Sequence, residues 1–238
     1  MTQHHVVFLL DVDNTLLDAD RVTVDLGRYL EKSIGHAGQG RYWNLFMQLR
    51  AELGYADYLG ALQRYRIEYP YDHDFLMISR YLLGYPFEDR LFPGALKVIR
   101  HIQKLGRVVL VSDGDAVFQP RKIERAGLFD AVCGHVRIYV HKEHELEDIQ
   151  AQYPADHYVL VDDKPRILSA VKNAWGPRVT TVFSRQGHYA FTVDSWSRDL
   201  TADVSLERIT DLLNYNLQDF LSAAHSTVST LNPANATS

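Results

Sequence analysis

Apolar residues follow two rhythms along the chain. Unbroken apolar runs at residues 6–10, 108–111 and 158–161 are too short for buried helices and suit strands covered on both faces. Each run stops abruptly in polar, acid-bearing residues: Asp11-Val12-Asp13, Ser112-Asp113-Gly114-Asp115 and Asp162-Asp163. Further strands are expected at 131–133, 136–140 and 179–183. Helical spacing takes over between the strands. Ala95, Val98, Ile99, Ile102 and Leu105 share one helical face, and Gly106 is placed to stop that helix. Helices are also expected at 119–126, ending at Gly127, then at 143–152, 166–174 and 205–221.

Residues 18–92 differ from the rest. Apolar positions recur there three or four apart, as in Leu45, Leu49 and Leu53, then Tyr58, Leu62 and Tyr65, then Phe75, Ile78 and Leu82. This predicts helices near 23–34, 41–53, 57–68 and 73–84, with Gly35, Gly54, Pro70 and Pro86 between them or near their ends. No strand signal interrupts the segment, so it reads as a helical lobe inserted into an α/β domain. Strands alternating with helices elsewhere argue for a three-layer, doubly wound, mostly parallel sheet. The expected division is a core of 1–17 and 93–222, a cap of 18–92 and a disordered tail of 223–238, rich in Ser, Thr, Ala and Asn.

Composition narrows the picture only a little. The 238 residues are 46% hydrophobic and 23% charged, ordinary for a globular protein. A net charge of −5 gives no reason to expect nucleic acid or an anionic membrane as a partner. Cys133 is the sole cysteine, so no internal disulfide forms; its apolar neighbours suggest core filling. No apolar run has the length of a membrane span, and the N-terminus lacks a signal-peptide pattern. The expected location is cytoplasmic.

The candidate chemistry lies where the strands end. In a parallel sheet all C-terminal strand ends share one edge, and open α/β sheets bind ligands there. Five acids, Asp11, Asp13, Asp113, Asp162 and Asp163, converge on that edge. They need a cation to remain ionised together. All-oxygen ligands favour a hard ion, and Mg²⁺ is the default. An ion with open positions takes anionic oxygen, and phosphate is the commonest source. Ser112 and the backbone N–H groups of the turn at Gly114 suit phosphate oxygens. Lys142, just past the strand at 136–140, is placed to neutralise them.

Together Asp11-Val-Asp13-Asn-Thr15-Leu, Ser112-Asp113, Lys142 and Asp162-Asp163 resemble the four motifs of the haloacid dehalogenase superfamily, in order and with compatible spacing. The segment 121–130 is also similar to that family's connection after the second motif. The resemblance implies a Rossmann-like core and a helical, C1-type cap closing over the site, as in the phosphatase-type branch. It implies Asp11 as nucleophile and Asp13 as the acid and base. It implies Mg²⁺ on Asp11, the Asp13 carbonyl and Asp162 or Asp163. Thr15, Ser112, Asp113, Gly114 and Lys142 would form the phosphate-binding set. Asn14 stands where many relatives carry Gly. The halide-displacing branch lacks the second acid and needs no metal, and the phosphonate-cleaving branch needs a cap lysine, for which only Lys32 is present. The implied function is hydrolysis of a small phosphorylated metabolite. A sugar-phosphate mutase and a non-catalytic phosphate- or partner-binding protein are the alternatives. By the same resemblance the cap faces the leaving group; it carries Arg41, Tyr42, Trp43, Arg50, Tyr55, Tyr58, Arg64, Tyr65 and Arg66, a set suited to stacking a base or gripping a second anionic group, although most cap tyrosines are expected to pack between helices and most arginines to be solvated. His141 and His144 are expected to be solvated or hydrogen-bonded rather than metal-bound.

Overall fold

The computed structural model describes residues 5–191 and 202–226. Six strands form one sheet in the order β3-β2-β1-β4-β5-β6, and every pairing is parallel. They are β1 (Val6–Leu10), β2 (Arg107–Asp113), β3 (Val136–Tyr139), β4 (His157–Asp162), β5 (Val179–Ser184) and β6 (Val204–Leu206). The chain winds one way from β1 to β3 and then crosses back to lay β4 on the other side of β1. That reversal opens a crevice between β1 and β4 at their C-terminal ends.

All five residues of β1 are buried. Their side chains alternate between the two faces of the sheet. Val6, Phe8 and Leu10 join a core with α4 (Ala95–Ile102), α5 (Phe118–Arg125), α6 (Leu128–Ala131) and α9 (Leu217–Ser226). Val7 and Leu9 join a second core with α7 (Leu146–Gln152) and α8 (Pro165–Trp175). The result is the expected three-layer α/β architecture. Among the described residues, no helix is long and apolar enough to cross a membrane.

The segment between β1 and β2 is helical. It contains α1 (Ala19–Leu53), α2 (Tyr58–Glu68) and α3 (Phe75–Gly84). Asp18 caps α1 by accepting from the Arg21 N–H at 2.8 Å, and Asp57 caps α2 by accepting from Gly60 N–H at 2.6 Å. The two helices expected at 23–34 and 41–53 are one element, broken at Gly35, whose φ of 71° and ψ of 171° lie outside the helical region.

Two other expectations are corrected. Residues 131–133 are not a strand: Ala131 ends α6, and the Cys133 N–H turns back to Asp130 O at 3.0 Å. Cys133 is exposed with φ 53°, so it does not fill the core. Residues 205–221 are not one helix. Asp203 bonds Thr181, which docks β6 onto β5. A 3-10 segment at Ile209–Asn214 follows, and Asn216 restarts the chain as α9 by capping Gln218 N–H at 2.8 Å. The helical period of 205–221 was outweighed by these edge-strand and capping bonds. Most of the tail expected to be disordered lies outside the described residues.

Candidate active site

Register brings the acids together. Leu10 pairs with Val161 across β1 and β4, so Asp11 and Asp162 leave their strands side by side. Asp11 N–H donates to Val161 O at 2.9 Å and locks that alignment. Asp11, Asp162 and Asp163 are all buried, and one oxygen from each lies within 4.8 Å of the others. Asp13 does not join this group through its carboxylate.

Lys142 is the buried counter-charge. Its ammonium bonds Asp11 Oδ1, lies 2.7 Å from Asp162 Oδ2 and donates to Val111 O at 3.1 Å. The contact with Asp162 Oδ2 is an ion pair without hydrogen-bond alignment. Burial alone would lower the Lys142 pKa; the charges of Asp11, Asp162 and Asp113 outweigh it and hold the ammonium well above its usual range. Asp113 Oδ1 fixes the lysine by accepting the Lys142 backbone N–H at 2.8 Å.

One ammonium does not satisfy three carboxylates. Asp11 Oδ2 and both Asp163 oxygens are buried without a hydrogen-bond partner. Burial, followed by the charges of Asp11 and Asp162, pushes Asp163 well above the usual carboxylate range. Burial also raises Asp11, and Lys142 offsets that only in part. Asp162 is better served, because its Oδ1 accepts the Lys164 N–H at 2.8 Å. Orphaned, hard, anionic oxygens at this spacing fit a divalent cation. Asp163 has both oxygens without a hydrogen-bond partner, whereas Asp162 has one.

Asp13 is held by residues that the sequence reading missed. Lys122 Nζ donates to both Asp13 oxygens at 2.7 Å and to Gln119 Oε1 at 2.8 Å. Gln119 Nε2 reaches Asp13 Oδ2 at 3.2 Å and Ser112 Oγ at 2.9 Å. The Lys122 side chain is 4% exposed and that of Asp13 28%, so the aspartate faces open space from a buried clamp. The periodicity of α5 carried the signal: Phe118, Gln119, Lys122 and Ile123 fall on one buried helical face.

The rest of the expected phosphate set is mixed. Ser112 is buried beside Asp13's clamp. Thr15 Oγ1 is buried without a partner. The Gly114 N–H is committed to Tyr139 O at 3.0 Å, so the turn offers fewer free donors than its sequence suggested. Asp113 serves Lys142 and stands 3.7 Å from Lys164 Nζ.

A cavity of about 920 Å³ lies over Asp13, Asp113 and Asp163. Its opposite wall comes from the inserted helices, including Trp43, Phe46, Arg50 and Tyr58. The two sides touch closely. Gly54, at φ 81°, ends α1 against His141, and a Cβ there would overlap the imidazole ring. Arg50 Nη2 donates to the Tyr189 hydroxyl at 2.6 Å.

Comparisons with known proteins bear on the fold and the family. No curated protein matches the chain. A solved haloacid dehalogenase-like hydrolase of Burkholderia xenovorans LB400 is 55% identical, with a TM-score of 0.86 over 90% of this chain and 99% of that one. The HAD-hydrolase YfnB of Bacillus subtilis, solved bound to magnesium, is 14% identical, with a TM-score of 0.61 over 89% and 98% of the two chains. The L-2-haloacid dehalogenase PA0810 is 16% identical, with a TM-score of 0.57 over 88% and 98%. The likeness of the last two shows the fold alone. The family model for haloacid dehalogenase-like hydrolases matches residues 6–181, which span every acid and lysine of the site. By that match and by its 55% identical relative, the chain belongs to the haloacid dehalogenase-like hydrolases.

Proposed function

We propose that the chain hydrolyses a phosphomonoester of a small cytosolic metabolite, with Mg²⁺ as cofactor and Asp11 as the phosphoryl carrier. This is the chemistry of the capped, phosphatase-type branch. One observation carries the reading: Asp13 is held by Lys122 and Gln119 facing the cavity, two residues after the buried Asp11. Displacement of halide from carbon needs no such second acid.

Asp11 attacks phosphorus through a carboxylate oxygen, and the bond from phosphorus to the substrate oxygen breaks. Asp13 delivers a proton to that departing oxygen. Water then attacks phosphorus, Asp13 takes its proton, the Asp11–phosphorus bond breaks and inorganic phosphate leaves. Lys142 orients the Asp11 carboxylate throughout and offsets charge on the phosphoryl oxygens. Asp11, Asp163 and the Asp13 carbonyl would hold Mg²⁺, with Asp162 alongside. Bound there, the ion supplies positive charge to the phosphoryl group.

The test is phosphate release from a panel of nucleotides, sugar phosphates, phosphoglycolate and aryl esters, with and without Mg²⁺, beside halide release from haloacids. Metal-dependent phosphate release supports the reading. Halide release without phosphate release replaces it with dehalogenation, and isomerisation of a sugar phosphate without release replaces it with mutase chemistry.

Two consequences are measurable. Lys122→Met leaves Asp13 without its clamp, and kcat is expected to fall about a hundredfold; unchanged kcat would remove Lys122 from the account. The second concerns pH. Asp163 and Asp11 bind protons more tightly folded than unfolded, because both are raised. Their contribution to stability is therefore complete below the unfolded carboxylate value and lost as pH rises through the raised folded values. Mg²⁺ replaces those protons. Saturating Mg²⁺ is expected to raise Tm more at about pH 8 than at about pH 5. An equal or larger rise at the lower pH contradicts the carboxylate ligand set.

A further inference from the structure

Part of the cavity wall opposite the carboxylates is one face of α1. Trp43, Phe46, Met47 and Arg50 occupy positions i, i+3, i+4 and i+7 of α1, and all four line the cavity. Apolar residues at this spacing normally pack against protein. Here Phe46 does so, at 5% exposed, but Met47 is 56% exposed and Trp43 is only half-buried. The rings make an aromatic corner: Trp43 meets Phe46 edge-on with centroids 5.4 Å apart, and Phe46 lies 4.7 Å from Tyr58.

The stripe ends in a guanidinium that lacks an anion among the described residues. Among the described residues, Arg50 has no carboxylate at ion-pair distance, and its recorded partner is the Tyr189 hydroxyl. The other long cations on the cavity are engaged, Arg166 with Glu143 and Lys164 with Asp113. A half-buried guanidinium has five donors in a planar fork suited to carboxylate or phosphate oxygens. The cavity volume of about 920 Å³ is near the upper end for small-molecule sites and far exceeds a phosphoryl group.

We propose that the substrate's leaving group is a planar aromatic ring bearing a second anionic group, with the ring against Trp43 and Phe46 and the anion on Arg50. This deepens the phosphomonoester reading of the same site and rests on it. Aromatic walls favour a flat π-face, and a charge-assisted contact to Arg50 rewards the anion.

The test compares kcat/KM for para-(carboxymethyl)phenyl phosphate and para-methylphenyl phosphate, with phosphoglycolate as the anion without a ring. The wild-type protein is expected to prefer the carboxylated aryl ester about tenfold or more over either comparison ester. In Arg50→Met the preference over the methyl ester collapses to about one; Arg50→Lys restores part of it. Tyr189→Phe keeps it, because the Arg50 guanidinium stays on the cavity when the hydroxyl that accepts from it is removed. Reading a ratio within each variant cancels any general loss from disturbed cap closure. Similar turnover of both aryl esters by the wild type, or a preference that survives Arg50→Met, overturns the assignment of Arg50. Phosphoglycolate hydrolysed as well as the carboxylated aryl ester overturns the ring. No phosphate released from any ester of any class overturns the hydrolase reading itself.

Discussion

Asp11→Asn is expected to lower phosphate release by about ten-thousandfold or more while leaving the protein folded. The amide is a far poorer nucleophile than the carboxylate, and no other described acid takes its place beside Lys142. Asp162 lies on the same ammonium but also binds the Lys164 N–H, and it sits one strand away at the register of Asp11. Stability should hold or rise slightly. Burial and the Asp162 charge already disfavour ionised Asp11 more than Lys142 favours it, so removing the charge relieves repulsion among three buried carboxylates. Steady-state kinetics with thermal unfolding of the same sample measures both effects. Retained turnover would dismiss Asp11 as the nucleophile; loss of turnover through unfolding would dismiss the electrostatic account.

Lys142→Met carries the largest expected stability loss. It leaves Asp11 and Asp162 buried without their cation, and a broken buried pair costs about 3–5 kcal/mol. For a chain of this size that corresponds to a fall in Tm of roughly 6–20 °C. The direction with pH follows from the shift. A lysine whose folded pKa is raised contributes stability that is complete below its unfolded value and lost only as pH rises through the folded one. The wild-type contribution is therefore whole at neutral pH. In the variant, acid protonates the abandoned carboxylates, so the deficit should shrink as pH falls. Mg²⁺ should also recover part of it by supplying the missing positive charge. Phosphate release should stay low even then, because Lys142 no longer orients Asp11. A variant as stable as the wild type at neutral pH would show that the three carboxylates are not jointly charged.

These residues also mark how far the sequence could be read. The run at β1 ending in Asp11 was legible because five apolar residues can only be covered on both faces, and the parallel register then forces Asp11 beside Asp162. Lys142 was legible as a cation past a strand, though its burial was not. Lys122 was missed because it sits in Arg121-Lys122-Ile123-Glu124-Arg125, which reads as a solvated charged face. Only the helical phase set by Phe118 and Ile123 separates it from its exposed neighbours. The Gly114 N–H was overcounted because a turn's composition does not say which donors the neighbouring strand has taken. The break in 205–221 was hidden for a similar reason. Docking of β6 depends on Asp203 meeting Thr181, a contact between distant parts of the chain that helical spacing does not encode.

The most direct test of the central claim is a rapid-quench experiment with a phosphomonoester labelled in its phosphoryl group, in the presence of Mg²⁺. The account predicts a burst of label bound covalently to the protein, mapped by mass spectrometry to the peptide containing Asp11 and absent from Asp11→Asn. Phosphate released by the wild type with no covalent label at any quench time, or label mapped to another residue, would contradict it.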